Sequence, residues 1–204
     1  MHEKLSKGMT LGLVGNIFFV LFSIICFFYY QAFGSHGIVV EFIEVSAYAC
    51  EAAGFICLLI SIILICRTAR MRIWLKIGFP IYILVELVLM VLELNSYRIE
   101  FYEPYSLALA IIHAVFSAII CFTFLSLDPG KVCLEVMIVV SFAIILAGML
   151  GNILGIRIYF SILTNAVAFS LLFGSIKWML AREMIEIDCY GDKARVAEYK
   201  STFF

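Results

Sequence analysis

Ionisable side chains stand inside the apolar runs of this chain, and its chemistry has to be sought there. Glu51, Glu86 and His113 each interrupt a stretch of aliphatic and aromatic residues. A charged residue at the centre of a membrane span costs roughly 2.5–3.5 kcal/mol on insertion scales, so each such position calls for an inward-facing environment or a function. Glu41, Glu44, Tyr48 and Glu51 follow at helical spacing, and a helix starting near Val39 presents them as one stripe descending into the membrane. Glu86 and Glu93, with Glu100 beyond, share one face of the next run, and Glu86 near its middle is the most costly charge in the protein. His113 lies in the fourth run, whereas Glu135 lies near the end of the fifth, where a side chain snorkels to the interface.

Carboxylates and an imidazole at such depth are the groups of a proton or cation path. Glu51, Glu86 and His113 are expected to line a polar pocket in the bundle core, with Glu44 and Glu93 at its mouth and Tyr48 and Asn165 as further ligand-binding candidates. The plainer alternative makes Glu86 interhelical glue, hydrogen-bonded to His113 or to a serine or asparagine on a neighbouring helix. In the outer half Glu41, Glu44, Glu51, Glu93, Glu100 and Glu103 face only Arg98 and Arg157. Such an acidic vestibule gathers cations, whether protons, metal ions or organic amines.

Several chemistries have no residues to run on. There is no Gly-rich phosphate loop, no HExxH and no GxSxG. Histidine occurs only at 2, 36 and 113, and Cys26, Cys50, Cys57, Cys66, Cys121, Cys133 and Cys189 are dispersed without a CxxC pair. No metal and no cofactor is therefore expected, and the thiols read as small packing residues. A net charge of −1 leaves no basic surface for a nucleic-acid partner.

The elements that must carry these residues follow from composition. Of the 204 residues 65% are apolar and only 14% charged, with a mean hydropathy of +1.11. Soluble domains run near 45–50% apolar, so the surplus must face lipid. Apolar stretches cover 9–33, 46–66, 77–94, 106–126, 132–150 and 160–180. Each is about as long as the roughly 20 residues a span requires, and each must be helical because backbone amides in hydrocarbon have no water to bond. Lys4 and Lys7 before the first run resemble a signal peptide, but that run is too long and lacks a small-residue cleavage pattern, so it reads as a retained span.

Arg67, Arg70, Arg72 and Lys76 after the second run, Lys131 after the fourth and the tail with Lys177, Arg182, Lys193, Arg195 and Lys200 all fall on one side with Lys4 and Lys7. Basic loops stay inside, which predicts an all-α, six-transmembrane-helix bundle with both termini cytoplasmic, multi-pass in the cell membrane. Residues 1–182 form the transmembrane domain and 183–204 a short cytoplasmic tail, a surface helix or a frayed end in which Met184–Ile187 and Phe203–Phe204 touch membrane or a partner. Tyrosines at 29, 30, 97, 102, 105 and 159 and Trp74 and Trp178 mark the two boundaries.

Glu51, His113 and Asn165 each precede two small apolar residues, a faint echo between the three spans expected to run in the same direction. Asn16, Asn152, Thr164, Asn165, Ser117, Ser141 and Ser170 are expected mostly to bond between helices, and Gly148, Gly151 and Gly155 to allow close packing. The leading functional expectation is a small transporter, channel or substrate-binding membrane subunit for a cationic or protonatable solute. A non-catalytic sensor or assembly partner, working with another membrane protein or a second copy, is the alternative, and a lipid-modifying enzyme the third.

Overall fold

The computed structural model of the chain describes residues 2–32, 38–69, 77–78, 80–85, 87–88, 102–128, 130–154, 158–187 and 189. Long helices dominate: α1 (His2–Ala32), α2 (Ile38–Thr68), α3 (Tyr102–Thr123), α4 (Val132–Ile153) and α5 (Ile158–Ala181). Residues 80–85 between α2 and α3 are also helical. No strand occurs among the described residues beyond one isolated antiparallel bridge, Ala69 to Cys189. Four helices contain stretches long and apolar enough to cross a membrane, Glu3–Cys26, Val45–Thr68, Val132–Gly151 and Phe160–Ala181, and a shorter apolar helix covers Ile111–Leu127.

Local chemistry explains where these helices begin and end. Pro104 falls in the first turn of α3, where its missing N–H costs nothing. α3 tightens into a 3-10 turn over Phe124–Leu127, and Gly130, at a φ of 84°, takes the left-handed backbone that lets the chain reverse into α4. At the end of α5 the Met184 amide donates back to the Met179 carbonyl at 2.9 Å, with Glu183 in left-handed conformation, the pattern that closes many helices.

The surface is inverted relative to a water-soluble bundle. Ile17, Leu21 and Ile24 on α1, Ile56, Ile60 and Ile63 on α2, and Val132, Val136, Val139 and Val140 on α4 are exposed. Asn16, Ser23, Glu51, Ser61, His113, Ser117, Ser141, Ser161 and Asn165 are buried. Exposed isoleucine and valine at helical spacing, with polar groups turned inward, is the distribution that hydrocarbon as solvent selects.

α5 is the central helix. Ala168, Phe169, Leu172, Phe173, Ile176 and Met179 form its share of one continuous core that takes in residues from every other helix. Close backbone approach seats α1 on α2: a Cβ on Gly54 would lie 2.9 Å from the Gly15 carbonyl oxygen, and one on Gly15 2.8 Å from that of Gly54. The Ser61 hydroxyl donates across the same seam to the Gly8 carbonyl at 2.7 Å.

Three contacts gather one end of the bundle. Lys4 and Lys7 of α1 meet Leu64, Arg67 and Thr68 of α2 around a shared cleft. Ala69 pairs with Cys189 beyond α5, and the Glu186 amide donates to an Asp128 carboxylate oxygen at 2.8 Å in the α3–α4 turn. The α1 start, the α2, α3 and α5 ends and the α4 start therefore lie together, so α2, α3 and α5 run in the same direction. Gly78 stands beside Ile120 and Thr123 near this end, whereas Tyr82 packs on His113 and Phe169 further along, so residues 78–82 run opposite to α3.

Two expectations are corrected. The tail is not frayed through Cys189: Ile185, Ile187 and Cys189 are buried in the main core while Met184 and Glu186 face outward, an alternation of extended chain tucked beneath the helices. Nor, among the described residues, do the core polar side chains mostly bond between helices; the side chain of Asn152 lies outside them. Ser141 donates to the Ala168 carbonyl at 3.2 Å and Asn165 reaches His113, but Asn16 donates to Gly12 and Thr164 to Ser161 within their own helices.

The α1–α2 seam generates a direct contrast. Gly54→Ala is expected to destabilise the fold by about 1–3 kcal/mol, because the new methyl meets backbone that cannot give. Gly174→Ala is expected to be tolerated, since its nearest neighbours are Leu13 methyls at 3.8 and 4.0 Å. Thermal unfolding midpoints of the two variants in detergent check this.

Candidate functional site

Two side chains of the polar interior meet between α3 and α5. Asn165 Nδ2 lies 2.7 Å from His113 Nδ1, with His113 5% exposed and Asn165 3%. Each sits on the inward face of its helix, with buried Ala114 beside His113 and buried Ala166 beside Asn165 leaving room for the pair. With the amide nitrogen donating, Nδ1 accepts and the neutral imidazole carries its proton on Nε2. Protonation would convert Nδ1 into a donor, and a half-turn of the Asn165 amide would then present Oδ1 to it. The pair can thus accommodate either charge state of the imidazole with one side-chain rotation.

Tyr82 completes the wall. Its ring stacks on His113 at 6.4 Å between centroids with 20° between planes, and tilts against Phe169 at 5.5 Å. Four buried oxygens have no hydrogen-bond partner among the described residues: Asn165 Oδ1 and the hydroxyls of Ser117, Ser161 and Ser170. Ser117 stands one turn beyond His113 and Ser161 one turn before Asn165, so polar atoms extend along the α3–α5 interface in both directions. Each such atom in a low-dielectric interior costs about 1–3 kcal/mol if left unsatisfied.

Glu51 occupies the buried face of α2 and is 6% exposed. One turn before it, Ala47 forms a second small core with Phe22 and Cys26 of α1, and Tyr48, together with Ile162 of α5, packs against it. One turn further along the parallel helices α2 and α5 come Glu51 and Asn165, which places the carboxylate at the height of the His113–Asn165 pair. The three residues of the faint sequence echo, Glu51, His113 and Asn165, are thus all buried at comparable depth on three parallel helices.

The remaining candidates divide plainly. Tyr48 is half-buried beside the second core. Glu44 is part of α2, but its side chain lies outside the described residues, as do Glu86 and Glu93 altogether. Tyr82 and Ser161 were not anticipated; the available signal was a four-residue offset, Tyr82 from Glu86 and Ser161 from Asn165. No cluster of three or more histidine, cysteine or acidic side chains suited to a metal exists among the described residues, and all seven cysteines are free thiols.

A separate cavity of about 900 Å³ opens laterally between α3 and α4. Val115, Ile119, Phe122, Phe142 and Leu146 make most of its wall, and Glu135 and Gly130 stand at one end. It reaches Ala114 but not His113, whose ring turns to the opposite side against α5.

Removing one partner of the His113–Asn165 bond takes a buried hydrogen bond from the other. His113→Phe and Asn165→Leu are each expected to cost about 1–3 kcal/mol, and the double variant less than their sum, with a coupling of at least about 0.5 kcal/mol. A double-mutant cycle on unfolding free energies in detergent measures it. Comparison with protein-family models, with curated proteins and with solved structures finds no match to this chain.

Proposed function

We propose that this chain is a six-span protein of the cell membrane that binds and moves a cationic or protonatable solute through a polar interior centred on Glu51, His113 and Asn165. The observation that carries the reading is the burial of a carboxylate, Glu51, at the height of the bonded His113–Asn165 pair inside a bundle whose outer surface is aliphatic. A carboxylate at that depth is a group able to bind a cation or exchange a proton. The buried Ser117 hydroxyl, one turn along α3 from His113, is a further polar group for such a solute.

The six-span count adds two crossings to the four helices of full length and apolarity: α3, and the run 77–94, whose residues 78–82 already run opposite to α3. With the start of α1, the α2 and α5 exits and the α3–α4 turn at one end, the basic residues Lys4, Lys7, Arg67, Lys131 and Arg182 argue for a cytoplasmic end there. Glu44, Glu86 and Glu93, the other acidic candidates of the sequence, would serve the same solute. A sensor or assembly role is the second reading, favoured by the buried tail that joins the helix ends through Asp128 and Ala69. The lipid-modifying enzyme ranks third, because the lateral cavity stops short of His113.

The test is proton movement in sealed proteoliposomes carrying an internal pH dye and challenged with small organic amines. Wild-type protein is expected to give amine-dependent flux that Glu51→Gln and Glu86→Gln each lower by at least about tenfold, with unfolding midpoints retained. Flux no faster than in protein-free vesicles across a panel of amines and metal cations would overturn the transport reading.

A further inference from the structure

At the gathered end of the bundle, the first turns of α1 and the last turn of α2 enclose a cleft of about 450 Å³ lined by Lys4, Lys7, Leu64, Arg67 and Thr68. Three cations from two helices converge on it. Lys4 and Lys7 are three residues apart on α1 and so share a face, and Arg67 approaches from α2. Glu3 bonds Lys7 at 2.7 Å, but the group remains net positive with that carboxylate counted. Like charges are not brought together around a hollow without cost, and an anion is what relieves their repulsion.

The position narrows the anion. The apolar stretch of α1 begins at Glu3 and that of α2 ends at Thr68, so the cleft stands at the level of lipid headgroups. Leu64 gives it one aliphatic wall on the side of the hydrocarbon. A guanidinium with two ammonium groups is the donor set that recognises phosphate oxygens, the planar fork bidentately and the amines as point charges. Basic pockets between helices at this level are where anionic headgroups lodge.

We infer that the Lys4–Lys7–Arg67 cleft binds a phosphate-bearing anion, supplied by an anionic phospholipid headgroup or as free phosphate. This inference stands on the charges and shape of the cleft and does not rest on the transport reading.

The test uses the purified full-length chain in non-ionic detergent. Native mass spectrometry is expected to show phosphatidylglycerol retained about tenfold more strongly than phosphatidylcholine, and the Lys4→Gln/Lys7→Gln/Arg67→Gln variant to lose that preference. Glu3→Gln, which releases Lys7, is expected to strengthen phosphatidylglycerol binding a few-fold, whereas Lys131→Gln/Lys177→Gln, outside the cleft, leaves it unchanged. A second arm adds inorganic phosphate: a rise in unfolding midpoint in wild type but not in the triple variant, without lipid retention, assigns the site to the free anion and still supports it. Should the triple variant not fold, Arg67→Gln alone is read in the same way. Equal phosphatidylglycerol retention by wild type and cleft variants with no response to phosphate overturns the inference, as does an equal loss in Lys131→Gln/Lys177→Gln, which would mean diffuse charge rather than a site.

Discussion

Backbone amides and polar side chains inside hydrocarbon have nothing but one another to bond, and that constraint organises this molecule. It forces helices wherever the chain is apolar, turns Asn16, Ser61, Ser141 and Asn165 inward, and leaves isoleucine, leucine and valine on the outside. The hydrophobic effect that would press helices together in water is weak between surfaces already bathed in acyl chains. Association rests instead on close packing and interhelical bonds, which is why Gly15 sits against Gly54 and why the Ser61 hydroxyl crosses to Gly8.

The same constraint explains the placement of chemistry. α5 is enclosed by α1, α3 and α4, so its polar face has neighbours on several sides and can hold Asn165 where neither lipid nor water reaches it. His113 is fixed by a bond to that amide and by the ring of Tyr82, two contacts from two different elements. Glu51, on the parallel α2, lies at the same height with the α1–α2 seam behind it.

Much of the architecture was legible in the residues because long apolar runs in lipid admit one backbone solution. The stretches 46–66, 132–150 and 160–180 match the apolar cores of α2, α4 and α5 to within a few residues. α1 begins well before the expected Met9, since Glu3, Lys4 and Lys7 sit at helical spacing at the boundary and extend the helix rather than interrupt it. The burial of Glu51, His113 and Asn165 was legible from cost alone. Their mutual height was visible only as a weak echo, because a repeat of one polar and two small residues is common in membrane helices. What could not be read was the partnering: composition says that Asn16 must bond, not that it will choose the Gly12 carbonyl in its own helix over another helix. The tail was missed for a related reason. Ile185, Ile187 and Cys189 alternate with exposed positions over too short a run to distinguish packed extended chain from a frayed end.

Polar groups collected at one depth on parallel helices, a basic cleft at the boundary where α1 meets α2, and a tail locked across the helix ends all depend on lipid being the outer solvent. Site-directed spin labelling of the reconstituted protein reads this directly, with a spin-labelled amino acid at Ile60 or Val139, both exposed, against one at Arg182. The account predicts frequent collisions with dissolved oxygen and few with a water-soluble nickel chelate at the first two positions, and the reverse at Arg182. Ready access of the nickel reagent to Ile60 and Val139 would contradict it, for the buried acid and imidazole would then have no hydrocarbon to be hidden from.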